Sequence, residues 1–122
     1  RIPFVKESTV EERLEKSSTI LLRHPQRVPV IVFTEDTTID LKKNKYIVPD
    51  DLTVGQFIQT LRRYLKDIQP HEALFLFCVN SESPYGTLPP TNAYMSVLYD
   101  QHHNDDNFLY LQLSKENTFG RN

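Results

Sequence analysis

The stretch that follows Thr53 carries the strongest helical pattern in the chain. Thr53 and Gln56 have the spacing of a capping box, in which each side chain hydrogen-bonds the other residue's backbone N–H. Apolar residues then recur at the i, i+3, i+4, i+7 spacing that gathers them on one helical face: Val54, Phe57, Ile58, Leu61, Leu65 and Ile68. We expect a helix over about residues 54–66 whose apolar face must be covered by the rest of the chain.

Four apolar segments rich in β-branched and aromatic residues have the composition of strands, at residues 28–33, 45–48, 74–79 and 107–113. The first two can pair antiparallel across a polar turn. Pro29 suggests an edge position or an irregular entry for the first strand. The last strand alternates three leucines with Phe108 and Tyr110, so both of its faces are apolar.

Further helices are expected at residues 4–7, from the capping box at Thr9 and Glu12 to about Arg23, and over about residues 92–102. Residues 80–90 contain Pro84, Gly86 and two further prolines, which indicates a loop. The resulting order is helix, helix, strand, strand, helix, strand, helix, strand. It predicts an α+β fold, a β-grasp domain with a four-stranded mixed sheet and two additional N-terminal helices. The first and last strands would lie side by side at its buried centre.

The length of 122 residues predicts a single domain over residues 1–122. We divide it into an N-terminal helical subdomain (1–25), a core (26–116) and a flexible C-terminal tail (117–122). The net charge of −2 gives no global attraction to nucleic acid or anionic lipid. Cys78 is the single cysteine and lies in an apolar run, which predicts a buried thiol and a protein of the reducing cytoplasm.

The chain shows no catalytic constellation. His102, His103, Asp105 and Asp106 invite a metal interpretation, but adjacent histidines point in different directions, and a solvated helix end explains all four residues more simply. Neither a glycine-rich phosphate loop nor a carboxylate pair is present. We therefore expect a protein that is not an enzyme and that holds no metal or cofactor.

The second predicted strand is a candidate binding element. If residues 45–48 form a sheet edge, their free backbone groups can accept an added strand, with alternate side chains of the partner entering pockets. The basic residues just before it, at positions 42–45, can receive acids from a partner or simply form a solvated turn. From the pattern alone, the apolar residues around this strand are equally consistent with plain core.

The C-terminal segment contains Phe119 and Gly120, and glycine is otherwise rare in the chain. Glycine lacks a Cβ, so a tail that ends in it suits an enzyme that threads the tail through a narrow cleft and cuts after it. A frayed terminus is the alternative.

Six segments resemble the autophagy ubiquitin-like modifier family, the family of GABARAP and the microtubule-associated protein light chains. They occur in order along nearly the whole chain: Arg27-Val-Pro-Val-Ile-Val32, Lys45-Tyr-Ile-Val-Pro49, Asp51-Leu-Thr-Val-Gly-Gln-Phe57, Leu88-Pro-Pro-Thr91, Phe108-Leu-Tyr110 and Glu116-Asn-Thr-Phe-Gly120. The resemblance implies a ubiquitin-like fold preceded by two helices. It also implies a modifier that a cysteine protease cuts after Gly120 and that activating and conjugating enzymes join to phosphatidylethanolamine. Such a modifier acts in autophagosome formation, and it moves from the cytoplasm to the autophagosome membrane once lipidated.

The resemblance further implies docking of autophagy receptors through a short aromatic-x-x-aliphatic motif that adds a strand to the second strand of the domain. The pocket for the aromatic residue would be lined by Ile20, Pro29, Ile31, Lys45, Ile47 and Phe108. The pocket for the aliphatic residue would be lined by Tyr46, Val48, Pro49, Leu52 and Phe57. Arg27 and Lys43 would meet acids that flank the motif.

The chain departs from the family pattern at several positions. Its loop at residues 80–88 is longer than usual, and a tolerated insertion is favoured over a new contact surface. Thr60 replaces a large apolar residue of the aliphatic pocket, and Leu22 and Phe33 are expected to be exposed. A β-grasp adaptor that binds peptides without being conjugated is the alternative function, and Gly120 distinguishes the two because an adaptor has no need of it.

Overall fold

The computed structural model describes residues 3–117, and Phe119 and Gly120 lie outside them. Within that range the elements are α1 (Pro3–Lys6), α2 (Val10–Arg23), β1 (Arg27–Phe33), β2 (Lys45–Pro49), α3 (Val54–Tyr64), β3 (Phe75–Asn80), β4 (Ser83–Thr87), α4 (Met95–His102) and β5 (Leu109–Ser114). The sheet order is β2-β1-β5-β3-β4. β1 and β5 are parallel, whereas the other neighbouring strands are antiparallel. This is the predicted ubiquitin-like α+β fold, and the proposed division into subdomain, core and tail stays a prediction.

The central strands β1 and β5 are buried on both faces, as their composition predicts. On one face, the main core gathers side chains such as Val30 and Leu111 with Phe57 of α3 and Met95 of α4. On the other face, a second cluster is covered by the N-terminal helices, and it contains Phe4, Ile31, Phe33, Phe108 and Tyr110 with Ile20 packed against it. The alternation along β5 therefore sends its leucines into one core and its aromatic residues into the other.

Both capping boxes form as predicted. The Thr9 hydroxyl accepts the Glu12 N–H at 3.1 Å, and the Glu12 carboxylate accepts the Thr9 N–H at 2.8 Å. Thr53 and Gln56 repeat the exchange at 3.2 and 2.9 Å. Local side-chain chemistry thus sets the first residue of α2 and α3. No helix within residues 3–117 is long and apolar enough to cross a membrane.

The predicted four-stranded sheet is wrong by one strand, because the segment expected to be a loop forms β4. The Asn80 side-chain oxygen accepts the N–H groups of Glu82 and Ser83 at 3.0 and 2.8 Å, which reverses the chain tightly after β3. β4 then pairs back onto β3 through Asn80↔Ser83 and Cys78↔Thr87. Gly86 has a φ of 97°, a conformation that favours glycine. A strand that contains a proline is tolerated here because β4 is an edge strand.

The helix α4 begins later than predicted, at Met95 rather than near residue 92. The backbone just before it is used by α3 instead: the Val54 N–H donates to the Ala93 carbonyl at 2.9 Å. Phe33 is buried rather than exposed, because its side chain joins the second cluster. Leu22 is 83% exposed, as expected.

Pro29 does not mark an edge, because β1 is a central strand. It lies opposite Ile47, while the parallel pairing with β5 starts one residue later, at Val30. Cys78 is fully buried, as predicted, and desolvation raises the pKa of its thiol to about 12. Its thiol is therefore protonated and unreactive at neutral pH.

Asp106 is not the solvated helix-end acid that the sequence suggested, since only 4% of it is exposed. Its carboxylate accepts hydrogen bonds from Arg13 Nε at 2.9 Å, from the Tyr110 hydroxyl at 2.5 Å and from the Phe108 N–H at 3.0 Å. The Ser17 hydroxyl donates to the Asp106 carbonyl at 2.8 Å. Burial raises the pKa of Tyr110 far above its ordinary value, and the hydrogen bond to Asp106 adds to this effect.

The Arg13 guanidinium extends this network to the first helix. Its Nη1 donates to the Ser8 carbonyl at 2.7 Å and to the Val5 carbonyl at 3.2 Å. One buried ion pair therefore joins α1, α2 and the loop before β5, which holds the N-terminal helices against the sheet.

Replacing Arg13 by Met should lower the free energy of unfolding by about 3 kcal/mol, because it leaves the buried Asp106 carboxylate without its cation. Urea denaturation followed by circular dichroism measures the change. Lys42→Met, which breaks the exposed ion pair between Lys42 and Asp40, is the control and should leave stability unchanged. Equal stabilities of the Arg13→Met variant and the parent chain would contradict this role.

Candidate strand-docking site

The strand β2 lies at one edge of the sheet and pairs with β1 alone. Two hydrogen bonds fix which of its residues face β1. The Val32 N–H donates to the Asn44 carbonyl at 2.8 Å, and the Asp50 N–H donates to the Gln26 carbonyl at 3.0 Å. Hydrogen-bonded positions alternate along an antiparallel pair, so the even-numbered residues of β2 turn their backbone groups toward β1.

The odd-numbered residues of β2 therefore turn their backbone groups toward the open edge. Lys45 and Ile47 each offer an N–H and a carbonyl there, whereas the Pro49 carbonyl already accepts the Leu52 N–H at 3.2 Å. The Ile47 carbonyl accepts a hydrogen bond from Arg27 Nη1 at 3.0 Å. The spacing of these groups is what an added strand needs. The same phase places Pro29 opposite Ile47 at a position where β1 and β2 exchange no hydrogen bond, so its missing N–H costs nothing there.

The residues predicted to line the aromatic pocket come together on the sheet face that carries α1 and α2. Ile31 lies opposite Lys45, and Pro29 lies opposite Ile47. Pro29 and Ile31 are fully buried, whereas Ile47 is 39% exposed. The first two can therefore form only the floor of a pocket, and the side chains of β2 form its accessible rim.

Phe108 and Ile20 complete this group, together with one residue that the sequence reasoning missed. The Phe4 ring of α1 packs edge-on against Phe108, with centroids 5.1 Å apart. The Nζ atoms of Lys45 and Lys16 lie 5.2 and 5.4 Å from the centroid of the Phe4 ring. Phe4 is 5% exposed and belongs to the same apolar cluster as Ile31 and Phe108. The sequence signal that could have identified Phe4 was an aromatic side chain within the short predicted helix.

Four of the residues predicted for the aliphatic pocket, Tyr46, Val48, Leu52 and Phe57, belong to or pack against the main core on the opposite face of β2. The rings of Tyr46 and Phe57 meet edge-on with centroids 5.3 Å apart. Phe57 is fully buried and Val48 is 5% exposed, so both belong to the main core and back the pocket from within. Leu52 and Pro49 are half-buried and supply the accessible part.

The end of α3 changes the character of this second pocket. The Thr60 hydroxyl donates to the Gln56 carbonyl of its own helix at 3.2 Å. Tyr64, which sequence reasoning missed, is 47% exposed. Burial raises the pKa of Tyr46, and the charge of Tyr64 raises it further. At position 60, α3 therefore carries a polar side chain where the family pattern has a large apolar one.

Cations surround the β2 edge. Lys43 Nζ lies 4.7 Å from the centroid of the Tyr46 ring, and Arg27 reaches the Ile47 carbonyl. Both predicted acid-binding residues are exposed, as are Lys45 and Lys16. A partner peptide with acidic residues next to its apolar anchors would match this charge.

The sheet and the β2 edge define the class of the protein. A β-grasp sheet that is preceded by two helices and keeps one strand edge open belongs to the ubiquitin-like proteins. Comparison then gives the family. The family model described as "Autophagy protein Atg8 ubiquitin like" matches residues 12–120. The chain therefore belongs to the Atg8 family of autophagy proteins.

Individual relatives agree with this assignment. Autophagy-related protein 8a of Arabidopsis thaliana is 43% identical over 119 residues, which cover 96% of this chain and 92% of the relative. Autophagy-related protein 8A of Oryza sativa subsp. indica is 42% identical over 122 residues, covering 98% and 97%. The crystal structure of Trypanosoma brucei ATG8 superposes with a TM-score of 0.79 at 34% identity, covering 96% and 97% of the two chains.

Amide hydrogen exchange should show directly which residues of β2 turn their backbone groups toward β1. The N–H groups of Lys45 and Ile47 should exchange at least about a hundredfold faster than those of Tyr46 and Val48, because only the latter pair donate to β1. Exchange followed by two-dimensional NMR measures this ratio. Equal protection of all four amides would mean that the open edge does not exist in solution.

Proposed function

We propose that this chain is a ubiquitin-like modifier of autophagy rather than an enzyme. A cysteine protease hydrolyses the bond between Gly120 and Arg121, and the activating and conjugating enzymes of the pathway join the new carboxylate to phosphatidylethanolamine. Membership of the Atg8 family supports this proposal, as does the match of the family model, which extends to residue 120. Phe119 and Gly120 lie just beyond the described residues, on the C-terminal side of β5.

The last strand of the sheet ends shortly before Gly120 in the sequence. β5 ends at Ser114, and the next residue is held by its side chain: Lys115 Nζ donates to the Thr38 hydroxyl at 2.9 Å and pairs with Glu72 at 3.3 Å. The last strand therefore ends a few residues before Gly120 in the sequence. The covalent lipid would supply the membrane anchor, since two acyl chains hold a protein durably at a bilayer. The protein would act in the cytoplasm and, after lipidation, on the autophagosome membrane.

The β2 edge would dock autophagy receptors and adaptors that carry an aromatic-x-x-aliphatic motif. The observation that carries this proposal is the set of outward-facing backbone groups at Lys45 and Ile47, flanked by an apolar group on each face of β2. A partner strand would hydrogen-bond to those groups. Its aromatic side chain would pack toward Ile47, Phe108 and Phe4, and its aliphatic side chain toward Leu52 and Pro49.

Arg27 would change its hydrogen-bond acceptor when a partner strand docks. In the free protein its guanidinium donates to the Ile47 carbonyl, one of the acceptors that an incoming strand needs. A partner N–H would take over that carbonyl, and the released guanidinium would bind a carboxylate beside the motif. The number of hydrogen bonds stays the same in this exchange. It favours acidic motifs, because the guanidinium then donates to a charged carboxylate instead of a neutral carbonyl.

The β2 surface by itself would also serve a peptide-binding adaptor that is never conjugated. The two functions differ at Gly120 alone, so an experiment on the tail separates them from each other.

Incubation with the processing protease of the pathway should shorten the chain by the mass of Arg121 and Asn122, and the product should become lipidated with the conjugating enzymes. Gly120→Ala should reduce lipidation to background, because the added Cβ obstructs the narrow cleft that accepts glycine. Intact mass spectrometry measures both steps. A chain that keeps its full mass, or a Gly120→Ala variant that is lipidated normally, would favour the adaptor.

An acidic peptide that contains Trp-x-x-Leu should bind the β2 edge, and Ile47→Asp should weaken it by at least about 30-fold, the effect of losing a hot-spot contact. Isothermal titration calorimetry measures the affinities. Val97→Asp on α4 is a matched control, because Val97 is 42% exposed and Ile47 is 39% exposed. Lys45→Glu should also weaken the acidic peptide. Binding that tolerates both β2 variants would place the docking site elsewhere.

A further inference from the structure

Lys115, the first residue after β5, is held by side chains of two other segments. Its Nζ donates to the Thr38 hydroxyl at 2.9 Å and pairs with Glu72 at 3.3 Å. Thr38 lies in the connection between β1 and β2, and Glu72 lies in the connection between α3 and β3. Only 22% of the Lys115 side chain is exposed, whereas most lysines face solvent. These contacts therefore fix the chain just beyond the end of the last strand.

Both partners of Lys115 are themselves held in place. The Thr38 hydroxyl donates to the Asp36 carboxylate at 2.6 Å, and the same carboxylate accepts the Thr38 N–H at 2.8 Å. The Glu72 carboxylate accepts the Gln69 N–H at 2.8 Å. That hydrogen bond, followed by the one from Lys115, lowers the pKa of Glu72, so the carboxylate is ionised at neutral pH. We call Lys115, Thr38, Asp36 and Glu72 the Lys115 cluster.

The backbone beside this cluster is also fixed. The Leu113 carbonyl accepts a hydrogen bond from the Thr34 hydroxyl at 2.8 Å, and Ser114 is still paired with β3. The Glu116 N–H donates to the Ser114 hydroxyl at 3.1 Å, where the chain bends. Strand pairing ends at Ser114, so the Lys115 cluster fixes the next residue along the chain.

The number of residues between Lys115 and Gly120 links this cluster to the reactive end of the proposed modifier. Gly120 is the fifth residue after Lys115. An extended chain covers at most about 3.6 Å per residue, so Gly120 stays within about 18 Å of Lys115. An enzyme that takes Gly120 into a narrow cleft therefore has to approach the folded domain closely and to order the segment between them. The entropy lost in that ordering opposes binding.

We propose that Lys115 is a positioning residue for the protease that cleaves after Gly120. This role rests on the proposed function as a processed modifier. The reaction is hydrolysis, in which water supplies the new oxygen of the Gly120 carboxylate and the proton of the released Arg121 amine. Lys115 does not touch the scissile bond. The Lys115 cluster fixes the base of the tail before the protease binds, so that less conformational freedom is lost in the complex.

Steady-state kinetics of the full-length chain with the processing cysteine protease test this role. Lys115→Met should raise KM about three- to tenfold and leave kcat within about twofold, because ordering of the tail is required equally in the bound complex and in the transition state. Lys115→Arg keeps a cation that can pair with Glu72, and it should hold KM within about twofold of the parent value. Lys66→Met removes the same charge from an exposed position in the turn after α3 and should change neither constant.

A second background shows whether Lys115 acts through its intramolecular partners. The double variant Thr38→Val, Glu72→Gln should itself raise KM about as much as Lys115→Met. Adding Lys115→Met to that background should raise KM by less than about twofold, because the partners are already lost. The full effect in that background would overturn the proposal, since it would mean that Lys115 contacts the protease itself.

A measurement without the protease checks the structural part of the proposal. The ¹H–¹⁵N heteronuclear NOE of the Lys115 and Glu116 amides should fall in Lys115→Met, whereas that of Tyr110 in the centre of β5 should not change. Equal NOE values in the two chains would contradict the fixed tail base. A parent chain that the protease leaves intact would overturn the proposed function together with this role. A chain that is cut with the same KM with and without Lys115 would overturn this role alone.

Discussion

The parallel pairing of β1 with β5 is the constraint on which the rest of the structure depends. Residues such as Val30 and Leu109 in these strands are completely inaccessible to solvent, so both faces of the central pair have to be covered. The helices α3 and α4 cover one face. The other face is covered by α1 and α2, which Arg13 and Asp106 tie to the loop before β5. The N-terminal helices are thus a second layer of the fold that the central strands require.

This arrangement leaves the two edges of the sheet with different properties. At one edge, β2 keeps backbone groups open and is surrounded by cations. At the other edge, β4 pairs with β3 and contributes Pro84 to the lining of a cavity. Both edges border the N-terminal helices: Phe4 packs beside the aromatic side of the β2 edge, and Val5 and Val10 line the cavity beside β4. The second helical layer therefore shapes the surface at both edges.

Most of the fold was predictable because its signals are local. The capping boxes at Thr9 and Thr53, the periodicity of α3 and the alternation along β5 all act within a few residues. Residues proposed for the aromatic pocket, such as Pro29 and Ile47, do lie opposite each other, since strand register follows once the hairpin is assigned. What sequence reasoning missed is non-local. The partner of Asp106 is 93 positions away at Arg13, and Phe4 reaches a strand near the other end of the chain.

The sequence by itself determined the order of the elements other than β4, the two-sided burial of the central strands, the family and the candidate glycine at position 120. These follow from short-range patterns and from motifs that persist along the chain. Only the tertiary structure decided that the inserted segment pairs as β4, that Phe33 is buried and that Asp106 forms a buried ion pair with Arg13. Each of those facts depends on which distant side chains share a volume. The spacing of residues along the chain does not show which distant side chains pack together.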